Sequence, residues 1–281
     1  MRPVRHDGQA RRGKEGKPLI RLFRLNEELE EARAYFLEAT EPHVFAAPDG
    51  TVLPYRLYVP PYYDRAKRYP LVVHLHGAGM RGNDNRLQLY YDPRENQMLF
   101  AYQHYEEFLF AVPQCPEGIM WSSYMERIFP HMPEDPPAHA DCPENRISKA
   151  VHALVLELAD RYGADRDRIY ATGTSMGGAG VYELLYRYPG TFAAGLAGCG
   201  VSDPADAAVL GKTPLYILHG DRDSVISAEH SRRLAAALEG AGAEFVYREI
   251  PGRDHDFADG DDGNAIFGDA MRWVFRHRRG D

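Results

Sequence analysis

Ile169-Tyr170-Ala171-Thr172-Gly173-Thr174-Ser175-Met176-Gly177-Gly178 passes from a short apolar run, through a serine framed by glycines, into a helical stretch over 177–187. A brief apolar run closed by a turn predicts a buried strand. Strand, turn and helix together are the context in which Gly-x-Ser-x-Gly becomes a nucleophile elbow, lifting a hydroxyl above the carboxyl edge of a sheet. Glycine is needed at both flanks because side chains there would collide with neighbouring backbone. Ser175 is therefore the candidate nucleophile.

Outward from this stretch the same alternation repeats. Apolar runs at 71–75, 108–112, 169–172, 193–197, 215–218 and 245–250 predict strands, and the continuous ones predict strands covered on both faces, as in parallel sheets. Residues 44–46 and 52–59 flank Pro48-Asp49-Gly50 and predict a hairpin. Helices are predicted over 146–162, with Val151, Leu154, Val155 and Leu158 at three- and four-residue steps, and over 177–187, 230–238 and 265–276. Strand then helix, repeated, predicts an α/β fold: a doubly wound, mostly parallel sheet of about eight strands. It occupies one domain, 41–281, preceded by a helical segment over 19–40 and a basic tail, 1–18, too poor in apolar residues to order itself.

Residues 122–145 are too long and too rich in proline for an ordinary connection, so they read as an insertion near the functional end of the sheet. His131, Glu134, Asp135, His139, Asp141 and Cys142 crowd this insertion, but their spacing matches no metal-ligand pattern, which makes it a solvated polar loop. Asp254, Asp256, Asp259, Asp261 and Asp262 read the same way, because the run lacks the glycine and glutamate of a calcium loop.

Composition sets the outer bounds. Among 281 residues, 33 Lys and Arg face 41 Asp and Glu, and the formal charge of -8 argues against nucleic acid as the main partner. No apolar stretch of about 18 residues is present to cross a bilayer, so no membrane partner is expected. Three cysteines, Cys115, Cys142 and Cys199, cannot all pair, and no apolar core follows the basic start. A cytoplasmic protein with reduced thiols is the expectation.

A serine hydroxyl is a weak nucleophile, so it needs an imidazole to take its proton and a carboxylate to orient that imidazole. On this fold the chain order is serine, acid, histidine. His255, in the glycine-punctuated loop after 245–250, is the candidate base, since His219 ends a strand and His230 and His277 lie in helical stretches. Asp221 and Asp223 both follow the strand at 215–218. Asp223 is preferred because it lies farther into the loop, where it can turn back to His255, whereas Asp221 suits bracing of the turn. The negative oxygen formed in acyl transfer requires backbone donors. Met176, directly after the nucleophile, supplies one. His76-Gly77-Ala78-Gly79, after the strand at 71–75, supplies the other through Ala78, with Gly79 as the second choice.

The order of His76-Gly77-Ala78-Gly79, Pro113-Gln114-Cys115-Pro116 with Trp121, residues 173–178, residues 219–225 and residues 252–255 resembles the α/β-hydrolases. More narrowly, it resembles the esterase and predicted-peptidase branch that includes phospholipase/carboxylesterase-like, polyhydroxybutyrate depolymerase-like and feruloyl-esterase-like enzymes. The resemblance runs from about residue 43 to the C-terminus. It implies a cofactor-free, metal-free serine hydrolase acting on a small-molecule carboxylic ester through Ser175, Asp223 and His255, with Ala78 and Met176 as oxyanion donors. It also implies that Asn83-Asp84-Asn85 lies beside the site, that Trp121 lines the acyl or alcohol pocket, and that Gly79 and Asn85 contact substrate. A peptidase or amidase using the same triad, and a non-catalytic binding protein on the same fold, are the alternatives.

Overall fold

The computed structural model describes residues 28–90, 103, 106–133, 136–257 and 263–280. The tail at 1–18, the start of the 19–40 segment, and Glu134, Asp135, Asp259, Asp261 and Asp262 lie outside the described residues.

Helix α1, Leu29–Ala39, precedes β1, Glu41–Ala46, and β2, Val52–Tyr58, which form the expected antiparallel hairpin. Strands β3, Leu71–Leu75, and β4, Leu109–Pro113, follow, then α2, Ser123–Ile128, and α3, Arg146–Arg161. Strand β5, Ile169–Thr174, leads through Ser175 into α4, Met176–Arg187. The chain then alternates β6, Ala194–Gly198; β7, Leu215–Gly220; α5, Glu229–Gly240; β8, Phe245–Ile250; and α6, Gly263–Val274. The strands lie in the order β1-β2-β4-β3-β5-β6-β7-β8, antiparallel at β1 and β2 and parallel from β4 onward.

Two-residue periodicity builds the core on both faces of this sheet. Leu71, Val73 and Leu75 of β3 join Val151, Leu154 and Leu158 of α3, Val181 and Leu185 of α4, and Leu234 and Leu238 of α5 on one face. Val72, between them in sequence, turns to the other face with Phe36 of α1 and Ile266, Phe267, Met271 and Val274 of α6. Burial on both sides explains why β3, β4 and β5 are continuous apolar runs rather than alternating ones. The loops after β3, β5, β7 and β8 consequently meet at the carboxyl edge. Helix α3 starts where Asn145 Oδ1 accepts hydrogen bonds from the backbone N–H groups of Ile147, 3.1 Å, and Ser148, 2.9 Å.

The 122–145 insertion is solvated only in part: His131 and Asp141 are exposed, but His139 and Cys142 are not. Its His139 is buried, with Nε2 3.0 Å from Glu183 Oε2 and Nδ1 2.5 Å from Asp206 Oδ2. Glu183, fully buried in α4, also accepts from Ser122 Oγ and Ser123 Oγ, each at 3.0 Å, and from Arg187 Nε at 3.1 Å. Cys142 is buried as well, and its thiol donates to the Ala138 carbonyl at 3.6 Å. Two carboxylates meet two cations, so charge that looked surface-bound in sequence closes on itself inside. The insertion is thereby tied to α4, the helix that carries the candidate nucleophile at its start.

Carboxylates can only accept here, so both ring nitrogens of His139 donate and the ring is an imidazolium. Burial works against that charge, but the hydrogen bonds to Asp206 and Glu183 outweigh it and lift the pKa to about 9. The resulting stabilisation is complete below about pH 6.5, the ordinary histidine pKa, and is lost as the pH rises through about 9. Its size is about 3 kcal/mol. Urea denaturation at about pH 6 and about pH 9.5 is expected to show that loss in the wild type and much less of it in His139→Gln. Equal pH dependence in the two proteins would exclude His139 as its source.

Candidate active site

The elbow is held by contact rather than by propensity. Ser175 adopts φ 56° and ψ -121°, a region costly for a residue with a side chain, and its backbone N–H donates to the Gly198 carbonyl at 2.8 Å. A Cβ at Gly177 would stand 1.7 Å from the Leu75 carbonyl oxygen, and one at Gly173 would stand 2.6 Å from the Gly177 carbonyl carbon. Both glycines are therefore steric requirements of the turn.

The structure brings Ser175, His255 and Asp223 together. His255 Nε2 lies 2.9 Å from Ser175 Oγ, and its Nδ1 lies 2.8 Å from Asp223 Oδ2. Asp223 cannot donate in return, so Nδ1 carries the proton and Nε2 presents its lone pair to the serine hydroxyl. The Asp223 side chain is fully buried. Burial raises its pKa, but hydrogen bonds from His219, His255 and the Ile226 backbone overcome this and leave it well below the usual carboxylate range. For His255, burial disfavours the charged ring, yet the hydrogen bond and charge of Asp223, helped by Asp256 and Asp254, leave its pKa raised.

The remaining sequence candidates divide. Met176 is the first residue of α4, so its N–H has no acceptor within the helix. Ala78 opens a short 3-10 turn, Ala78–Met80, directly after Gly77, where a Cβ would lie 3.8 Å from Ser175 Cβ. The 76–79 loop thus passes beside the nucleophile, with Gly79 exposed on it. Trp121 is drawn into the core. It is almost fully buried, and its Nε1 donates to the His76 carbonyl at 2.9 Å. Asn85 is equally occupied, since its Nδ2 donates to the carbonyls of His43, 3.0 Å, and Tyr55, 3.1 Å, while its backbone N–H donates to Gln114 Oε1 at 2.6 Å. Trp121 thus braces the 76–79 loop, and Asn85 ties its own segment to the β1–β2 hairpin. Asp221 Oδ1 accepts from the Gly252 N–H at 2.6 Å, joining the acid loop to the histidine loop.

Residues 137–271 match the dienelactone hydrolase family. The crystal structure of a thermostable esterase is 31% identical over 86% of this chain and 64% of its own, with a TM-score of 0.70. This chain thus spans less than two thirds of that esterase. A ferulic acid esterase is 16% identical over 84% of this chain and 98% of its own, TM-score 0.62, and dipeptidyl peptidase 4 of Porphyromonas gingivalis is 16% identical over 85% and 35%, TM-score 0.63. A search of curated protein sequences returns no match. This chain has the α/β-hydrolase fold.

Around Ser175, His255 and Asp223, two supports were not legible in sequence. His219 Nε2 lies 2.8 Å from the Ile226 carbonyl and 3.1 Å from Asp223 Oδ2, while its Nδ1 lies 2.7 Å from Ser231 Oγ. The Ile226 oxygen only accepts, so Nε2 bears the proton and Nδ1 accepts from the serine. His219 therefore holds the acid from behind; the available signal was a histidine ending a strand four residues before the acid. Asp254 is no idle loop carboxylate either. Its Oδ1 accepts from Ser224 N and Ser224 Oγ, each at 2.8 Å, and from His255 N at 2.7 Å. It fixes the two loops that carry acid and base. Cys199 Sγ lies within 4.8 Å of ligand atoms of Asp223 and His255, the one such cluster with metal-ligand potential among the described residues. Its thiol donates to the His255 carbonyl at 3.8 Å.

Proposed function

We propose that this α/β-hydrolase cleaves carboxylic esters through an acyl-enzyme intermediate. The observation that carries this reading is the unbroken relay from Ser175 Oγ to His255 Nε2 and from His255 Nδ1 to Asp223. Ser175 Oγ bonds to the ester carbonyl carbon while its proton passes to His255 Nε2. The carbonyl oxygen becomes an anion facing the N–H groups of Met176 and Ala78. Collapse breaks the bond to the alcohol oxygen, which leaves with the proton from Nε2. Water then gives a proton to Nε2 and attacks the acyl carbon, and the serine is regenerated as the acid departs. Throughout, Asp223 balances the imidazolium charge.

The net charge of -8 supports a small-molecule substrate over nucleic acid. Three buried thiols support a reducing compartment such as the cytoplasm.

Ester against amide chemistry is decided by comparing p-nitrophenyl acetate and butyrate with aminoacyl p-nitroanilides. Esters are the expected substrates, and cleavage of anilides alone would make the protein an amidase. A fluorophosphonate is expected to label the wild type and to leave Ser175→Ala unlabelled. A folded wild type that stays unlabelled would favour a non-catalytic binding role.

Because His255 must be neutral to accept a proton, kcat/KM is expected to fall as the pH drops through its raised pKa. The half-point of that acid limb is expected above pH 6.5, the value of an unperturbed histidine. Asp223→Asn should move the limb downward, and an acid limb unmoved by that change would remove the carboxylate from the relay.

A further inference from the structure

His76 opens the 76–79 loop and is fully buried, and both of its ring nitrogens are engaged. The Cys115 backbone N–H donates to Nε2 at 3.0 Å. A backbone N–H can only donate, so Nε2 holds the lone pair and the neutral ring carries its proton on Nδ1. That proton is given to the Gly77 carbonyl, 2.7 Å away. The ring is itself held in place. The Trp121 indole meets it edge-on, 5.1 Å between centroids, and donates from Nε1 to the His76 carbonyl at 2.9 Å.

The oxygen that His76 grips belongs to the peptide whose nitrogen is that of Ala78. This peptide is trans, so its C=O and N–H point to opposite sides of the chain. Fixing the oxygen therefore fixes the amide hydrogen of Ala78, which faces away from the His76 ring. The same stretch lies against the elbow: a Cβ on Gly77 would stand 3.8 Å from Ser175 Cβ, and one on Gly177 would stand 3.1 Å from the His76 oxygen. The Met80 N–H also reaches the Gly77 oxygen, at 3.2 Å, but Met80 belongs to the same turn and moves with it. His76 is anchored outside the loop, to Cys115 after β4 and to Trp121. It ties the orientation of the peptide to the core.

We propose that His76 is a positioning residue: through its Nδ1–H bond to the Gly77 carbonyl it turns the Gly77–Ala78 peptide so that the Ala78 N–H meets the oxygen of the carbonyl that Ser175 attacks. A donor to that oxygen is most effective when it is aimed before the charge develops. His76 touches no substrate and moves no proton. The proposal rests on the esterase reading above, which wild-type turnover of p-nitrophenyl butyrate tests by itself.

Two substitutions separate the ring nitrogens. The amide of His76→Asn puts an N–H where Nδ1 stands and nothing where Nε2 stands, whereas His76→Gln reaches the Nε2 position and leaves the Gly77 oxygen without the ring donor. His76→Gln is expected to keep a urea midpoint near the wild type, to lose about 10²-fold in kcat for p-nitrophenyl butyrate, and to hold KM within about twofold. His76→Asn is expected to be the less stable protein, because the Cys115 N–H loses its acceptor, yet to keep kcat within about threefold. A merely structural histidine would tie activity to stability; here the two move apart. Pentyl trifluoromethyl ketone gives a second readout. Ser175 Oγ adds to its carbonyl carbon, the serine proton passes to His255 Nε2, and the oxyanion stays because neither carbon substituent can leave. Its Ki does not depend on any unfolded fraction, and should rise about 10²-fold in His76→Gln while staying near the wild type in His76→Asn. Any other order of the two variants, equal losses or none included, would overturn the proposal while wild-type turnover still upheld the triad. If either variant fails to fold, nitrogen NMR of the wild type decides: a proton on His76 Nδ1 with a bare Nε2 supports the grip, and the opposite tautomer overturns it.

Discussion

His255→Ala is expected to lower kcat for ethyl butyrate by about 10⁵- to 10⁶-fold, the scale on which removing a serine or histidine disables such a relay. The ring makes two contacts that no neighbour duplicates, 2.9 Å to Ser175 Oγ and 2.8 Å to Asp223 Oδ2. Without it the hydroxyl keeps its proton, and the departing ethoxide has no acid. The two losses can be told apart by the leaving group. p-Nitrophenolate departs without a proton, so the same variant should lose less activity on p-nitrophenyl butyrate than on the ethyl ester. Ser175→Ala combined with His255→Ala should be no worse than either change alone, because the residues act as one unit. Asp223→Asn should cost about 10⁴-fold, by favouring the tautomer that points a proton at the serine. Fold integrity is checked by circular dichroism, since His255 is a half-buried loop residue. Turnover unchanged by His255→Ala would remove the histidine from the mechanism.

The parts of this site that were legible in sequence are those fixed by chain order and local sterics. Gly173, Ser175 and Gly177 declare a turn through their own backbone demands, and Asp223 and His255 follow in loops whose strands are plain apolar runs. What was not legible depends on which atoms meet across the fold. A tryptophan in a loop rich in proline and glycine suggests a pocket wall, but the Trp121 indole N–H finds the His76 carbonyl and the ring is taken into the core. Asn85 likewise spends its amide on carbonyls of the edge hairpin, which its place in the sequence does not announce.

The insertion misleads in the opposite direction. Counted alone, its acids, prolines and histidines describe a segment that belongs in water. Its His139 pairs with Glu183 on α4 and with Asp206, after β6, and Arg187 of α4 pairs with Glu183 in turn. In sequence, Glu183 sits among Val181, Tyr182, Leu184 and Leu185, where an acid looks like a solvated gap in an apolar helix. Only the packing of α2 and the His139 turn against α4 makes it the hub of a buried network. Composition reports each segment's own polarity, and burial of charge is a property of pairs.

Gly177→Ala is expected to leave no stably folded protein, or to cost more than about 4 kcal/mol, placing it in the tail reserved for severe backbone conflict. The added Cβ would sit 1.7 Å from the Leu75 oxygen and 2.6 Å from the Leu75 carbon, and neither belongs to a side chain that could rotate away. Relief requires β3 and α4 to part. β3 pairs with β4 on one side and β5 on the other, so the movement would break ladder hydrogen bonds in the middle of the sheet. It would also pull the 76–79 loop from the nucleophile, so any folded remnant should fail to take up fluorophosphonate. A matched control separates this from a general effect of adding a methyl group. A Cβ at Gly240, at the end of α5, meets nothing within 4 Å, and Gly240→Ala should be neutral or stabilising by up to ~1 kcal/mol. Urea midpoints measured for the two variants should therefore move apart, and a Gly177→Ala protein as stable as the Gly240→Ala control would mean that the strand and helix do not approach as closely as the elbow requires.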